Sequence, residues 1–97
     1  VAIDMVKPCL DELLERSLPK DVEQKIEEII LSVDGVSSPH HLRTRRIGNN
    51  YAIEVHIRMN GKLTLHEAHR ITTTVEQRLK EQFGAGTHVG IHTEPIK

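Results

Sequence analysis

The sequence has almost nothing aromatic in it. Of its 97 residues one is Tyr, one is Phe and none is Trp, so the core must be built from Ile, Val and Leu. A single cysteine, Cys9, excludes an internal disulfide framework and points to a reducing compartment. One isolated thiol also makes no thiolate zinc site. No unbroken apolar run exceeds three residues, as in VAI at 1–3 and IIL at 29–31, far short of the roughly 20 that a membrane-spanning helix needs. No signal peptide is visible. Neither sign of charge dominates: 13 Lys and Arg against 14 Asp and Glu leave a formal net charge of −1. Binding to nucleic acid needs a clustered basic face, and the only basic cluster is RTRR at 43–46, so no nucleic-acid partner is expected. A Gly-rich phosphate loop, HExxH and CxxC are all missing. Ser17, Ser32, Ser37 and Ser38 stand in no triad context. Nothing marks an enzyme. The first residue is Val rather than Met, which suggests a piece of a longer polypeptide.

What the chain does have is length for one small domain and an ordered series of periodic segments. A domain of this size buries a limited share of its surface, so metal binding or oligomerisation is a useful supplement. Residues 1–18 read as an arm: Ile3, Val6, Leu10, Leu13 and Leu14 fall at helical spacing, interrupted by Pro8. From Pro19 a helix is expected, with Asp21 and Glu23 suiting its positive end. Val22, Ile26, Ile29, Ile30 and Val33 form its apolar stripe and Asp34–Gly35 its stop. A hairpin follows, from about Ser37 to Ile47 and from Tyr51 to Met59, turning at Gly48-Asn49-Asn50. Its second strand alternates, with Tyr51, Ile53, Val55, Ile57 and Met59 on one face and Ala52, Glu54, His56 and Arg58 on the other. Thr64 and Glu67 make a capping box. The helix they open carries Ala68, Ile71, Val75, Leu79 and Phe83 inward and stops at Gly84. A last strand spans about Thr87 to Glu94, ended by Pro95. The fold class is α+β: an α-β-β-α-β open-faced sandwich, ferredoxin-like, with helices on one face of a three-stranded mixed sheet. The second and third strands should be parallel.

Seven of the residues are His, and their placement says more than their number. Alternation puts His56 on the polar face of the second strand, and His88, His92 and Glu94 on that of the third. If those strands are neighbours, His56 and His92 converge with the Glu94 carboxylate. Two imidazoles and a carboxylate are a common divalent-metal set. His40 and His41 lie in the first strand, and at least one should reach the same face. His69 falls at the edge of the second helix's apolar stripe, beside where helix and sheet meet, while His66 in its first turn is solvated. A polar strand face can equally carry His against water with no ligand at all. RTRR has two readings as well: edge-strand cations that discourage sheet-to-sheet pairing, or guanidinium groups that meet a carboxylate across a dimer interface.

Five stretches together resemble the cytoplasmic C-terminal domain of cation diffusion facilitator transporters: LLERSLP (13–19), GVSSPHHLRTRRIGN (35–49), YAIEVHIRM (51–59), LTLHEAHRITTTVEQRL (63–79) and VGIHTEP (89–95). The resemblance covers essentially the whole chain, in order. It implies a metallochaperone-like domain that forms a homodimer on the cytoplasmic face of the membrane, below its own transmembrane domain. It also implies a metal site at or near the domain interface, with ligands at His40, His56, His69, His92 and Glu94. His88 is no ligand position of the family. Many relatives have Asp where this chain has His41, which makes His41 a candidate extra ligand or a change in interface charge. Some relatives have Asp in place of Glu94, and the extra methylene moves the carboxylate. Glu15 aligns with an acidic residue that pairs with the membrane domain, and Arg43 and Arg45 belong with the dimer interface or linker.

The expectation is therefore a linker over 1–18 and a metal-binding dimerisation domain over 19–97, serving a proton-coupled divalent-cation exporter. Zn2+ is the favoured ion, with Fe2+, Mn2+, Co2+ and Cd2+ also compatible with His and carboxylate ligands. The alternatives are a constitutive dimerisation scaffold with incidental histidines and a stand-alone metallochaperone.

Overall fold

Proline fixes its own φ and has no N–H to satisfy, which suits it to the start of a helix. Pro19 does this at the head of α1 (Lys20–Leu31), where its carbonyl accepts from the Glu23 N–H at 3.1 Å. The computed structural model describes residues 17–96. The expected arm, with Glu15, therefore lies outside the described residues apart from Ser17 and Leu18. After α1 come β1 (Ser37–Ile47), β2 (Asn50–Met59), α2 (Leu65–Phe83) and β3 (His88–Pro95). The sheet order is β1-β2-β3, with β1 antiparallel and β3 parallel to β2. This is the mixed α-β-β-α-β sandwich expected, with small shifts at the element ends. α1 stops two residues before Val33, and Pro95 is the last residue of β3. A proline is tolerated there because β3 is an edge strand.

The helices cover one face of the sheet. Ile53, Val55 and Ile57 of β2 pack with Ile26 and Ile30 of α1 and Val75 and Leu79 of α2 into a core with essentially no solvent access. Tyr51 and Phe83, the two aromatics, meet at its margin with ring centroids 5.5 Å apart. The other face of the sheet is left without a helix, and the residues that alternate away from this core are the ones that build the site.

Three local devices hold the layers together. Thr64 accepts from the Glu67 N–H at 3.1 Å while Glu67 Oε1 accepts from the Thr64 N–H at 3.4 Å, completing the capping box read from the sequence. Gly35 turns the chain after α1 at φ +92, a conformation that L side chains rarely adopt, and a Cβ there would stand 2.9 Å from Ile71 Cδ1, which would have to shift. Thr44, buried on the inner side of β1, accepts from the Leu18 N–H at 3.0 Å and donates to Glu23 Oε2 at 2.7 Å. One hydroxyl thus ties the end of the arm to the sheet and to α1. Thr44→Val keeps the shape but leaves the Leu18 N–H without its partner, and should cost about 1–3 kcal/mol in urea unfolding. A loss under about 0.3 kcal/mol would show that the tie does not matter.

Candidate metal centre

Adjacent residues of a regular strand point to opposite faces, so His40 and His41 should not both face out. β1 breaks that rule twice. Ser37 pairs with Arg58, His40 with His56 and Arg43 with Glu54. Three steps on β1 thus match two on β2, first before His40 and again after it. Each extra residue is a β-bulge, which re-aims the side chains around it. The backbone signature is explicit: Ser38 has φ 47 and His41 φ 51, both in the left-handed region that non-glycine residues rarely occupy. The result is that both imidazoles lie beside His56, with the His40–His41 and His41–His56 ring centroids each 5.1 Å apart.

Register completes the arrangement. His40 pairs with His56, and His56 with His92, so three imidazoles form a row across all three strands. Glu94, two residues beyond His92, lies on the same face and leans back over the row. Its Oε1 lies 2.7 Å from His40 Nε2 and 3.3 Å from His56 Nδ1. One ligand atom each from His40, His56 and Glu94 fall within 4.8 Å of one another. Ligand atoms sharing one tetrahedral zinc at 2.0–2.1 Å lie roughly 3.3 Å apart, so the three need little movement to share an ion.

The partners of His40 say what that nitrogen is for. Its Nδ1 sits 2.7 Å from the carbonyl oxygen of Ser38, and its Nε2 faces the Glu94 carboxylate. Neither oxygen can donate. A neutral His40 therefore satisfies only one of them, and the other nitrogen needs a second proton or a metal ion. With Nδ1–H donating to the Ser38 carbonyl, Nε2 is left as the ligand. A backbone carbonyl orienting the far nitrogen is how metal-binding imidazoles are commonly held. For the Glu94 carboxyl, partial burial acts to raise its pKa, but the hydrogen bonds and charges of His40 and His56 outweigh that and hold it below the usual range. It is ionised wherever the imidazoles are free to bind.

Not every candidate belongs to this cluster. His92 stacks beside His56 at 4.6 Å between centroids, next to the triad rather than within it. His88 is exposed and pairs with Ala52, four residues back along β3 and roughly 13 Å from His92 by strand rise. His69 is not in the candidate metal set of the described residues. It is exposed on α2, whose inward positions are taken by Val75 and Leu79, with Ala68 and Ile71 packed alongside. The helices lie across the sheet from the cluster, so His69 does not reach it within one chain. His66 is exposed, as expected. Arg43, Arg45 and Arg46 lie along β1, an edge strand, and the Arg46 guanidinium rests 5.6 Å over the Tyr51 ring. The residue that sequence reasoning missed is Ser38, whose carbonyl orients His40. Its signal was Pro39 inside a strand, which marks an edge or a bulge.

Residues 18–96 match the family described as cation efflux protein, cytoplasmic domain. The chain belongs to this family. It is accordingly a domain of the cation-transport class and not an enzyme, and the family designation marks it as dimer-forming. Among its relatives are the cation-efflux pump FieF of Pectobacterium atrosepticum, 38% identical over 95 residues, and that of Escherichia fergusonii, 39% identical over 94 residues. These alignments cover 98% and 97% of this chain but 31% of each pump, so the chain spans about a third of their length. The solved cytosolic domain of a cation diffusion facilitator family protein superposes with a TM-score of 0.71 at 30% identity, over 78% of this chain and 90% of that one. CzrB, whose structure is described in connection with zinc transport, superposes at 0.75 with 29% identity, over 82% and 99%. The cytosolic cation-efflux domain therefore has the fold described above. No helix among the described residues is long and apolar enough to cross a membrane.

Proposed function

We propose that this chain is the metal-sensing and dimerisation domain of a proton-coupled divalent-cation exporter, responding to the ion through His40, His56 and Glu94. The observation that carries the reading is His40 held between two acceptors, with its Nε2 turned to a carboxylate beside a second imidazole. Zn2+ suits this donor set best, as a borderline ion that takes imidazole and carboxylate in tetrahedral geometry. CzrB is described in connection with zinc, which supports the same choice. His92 beside His56, and His69 supplied by a second protomer, would extend the site across a homodimer. Arg43 and Arg45 would face that interface. Metal binding beside it draws the two protomers together and biases the attached membrane domain through the linker over residues 1–18. It does so only to the extent of its differential affinity for the two arrangements.

Sedimentation velocity tests this. Zn2+ should compact the dimer, raising its sedimentation coefficient, and His56→Ala with Glu94→Gln should remove the change. A dimer that sediments identically with Zn2+ and with chelator would instead establish the constitutive scaffold. Protons compete for the same nitrogens, so affinity falls with acidification. With Glu94 already ionised, the imidazoles set the limit. Zinc affinity should therefore be lower at about pH 5.5 than at about pH 7.5. A flat profile over that range would exclude imidazole ligands.

A further inference from the structure

The three-residue set leaves a tetrahedral ion one donor short, and the second bulge of β1 supplies a candidate. An imidazole bound to zinc at 2.0–2.1 Å has its ring centroid roughly 3.2 Å from the metal, so two imidazoles on one tetrahedral ion stand about 5 Å apart, centroid to centroid. The His40–His41, His41–His56 and His40–His56 separations are 5.1, 5.1 and 5.5 Å. The three rings thus form a nearly equilateral triangle at a spacing that shared coordination allows, and Glu94 Oε1 lies within hydrogen-bond distance of His40 and His56.

The backbone shows that this is built rather than incidental. In a regular strand His41 would turn away from the face that His40 occupies. It is turned back by its own left-handed conformation at φ 51, within a register shift. A non-glycine residue held in that region is strained and persists where the surrounding structure imposes it. Its side chain is exposed, and χ1 and χ2 must turn to bring a nitrogen to the three ligand atoms that already lie within 4.8 Å of one another.

We infer that His41 is the fourth ligand of the site, giving a three-imidazole, one-carboxylate set that closes around the ion within a single protomer. This rests on the functional reading of His40, His56 and Glu94 as metal ligands and adds to it. Two consequences follow from the chemistry. The set favours Zn2+ and Co2+ over Mn2+ and Mg2+, which prefer oxygen-rich six-coordination. The first ion also binds at a protomer's own site, so its affinity does not depend on dimer concentration.

Co2+ titration of the full chain, read by visible absorption, tests the assignment. Tetrahedral Co2+ absorbs far more intensely than six-coordinate Co2+. The wild type should show the intense spectrum. His41→Asn should lose most of it and bind Co2+ at least about tenfold more weakly, within the range seen when the support of a metal site is removed. Asn accepts the left-handed backbone, and His41→Gly, which holds it without strain, should lose the same intensity, so a backbone defect is told apart from a lost ligand. His66→Asn serves as an exposed-imidazole control and should change nothing. If both His41 variants keep wild-type spectrum and affinity while His56→Ala abolishes binding, His41 is not a ligand and the functional reading stands. If the wild type shows no saturable Co2+ or Zn2+ binding, both are overturned.

Discussion

His56→Ala should weaken Zn2+ binding by at least about 100-fold in competition with a chromophoric chelator, with the fold intact. Removing only an outer partner of a metal ligand already costs 10–100-fold, and His56 occupies the centre of the arrangement. It pairs in register with His40 on one side and His92 on the other, and its Nδ1 lies 3.3 Å from Glu94. Its ring is only half-buried, and the neighbours Val55 and Ile57 that hold β2 in the core point the other way. Loss of the imidazole therefore removes a ligand without opening a cavity, and thermal unfolding without metal should stay within about 1 kcal/mol of wild type. Retention of wild-type zinc affinity would show that the row across the sheet is not the site.

Ile57→Ala should have the largest effect on the fold itself. Ile57 has 0% exposure and lies in the middle strand, within the core cluster to which both helices contribute. Truncating a fully buried isoleucine in such a position costs about 2–5 kcal/mol, the transfer of the lost methylenes plus the cavity they leave. For a domain of this size each 1 kcal/mol lowers the melting temperature by about 4–8 °C, so a drop of at least about 10 °C is expected. The buried core cluster holds no aromatic ring, Tyr51 and Phe83 lying at its margin. A loss below about 1 kcal/mol would mean that β2 is not the centre of the core.

The two predictions separate what the sequence displays from what it conceals. The period-two alternation from Tyr51 to Met59 is unbroken in β2, so both the buried face and the outward position of His56 were legible from residue types alone. The capping box at Thr64 and Glu67 was legible for a related reason: its partners are three residues apart and the interaction is local. β1 is the counter-example. Periodicity assigns faces only while the register is regular, and two extra residues shift it at Ser38 and His41. Alternation placed at least one of His40 and His41 on the polar face, whereas the bulges bring both there. Alternation gave Glu94 its face and His56 and His92 as partners, whereas its shortest contact is with His40. Its reach back to His40 links residues 54 positions apart and depends on strand order, which no single segment encodes. His69 shows the opposite case. It was named by resemblance to the family, and its exposed place on α2 means that any role at the cluster has to come from a second protomer.

Calorimetric titration of Zn2+ into the metal-free chain at about pH 7.5 asks whether the outward face of the sheet holds an ion. Saturable binding at micromolar affinity or tighter, lost when His56→Ala and Glu94→Gln are combined, is the result predicted by a site built on the outward face of the sheet. The absence of saturable heat, or a double variant that binds as tightly as the wild type, would contradict it.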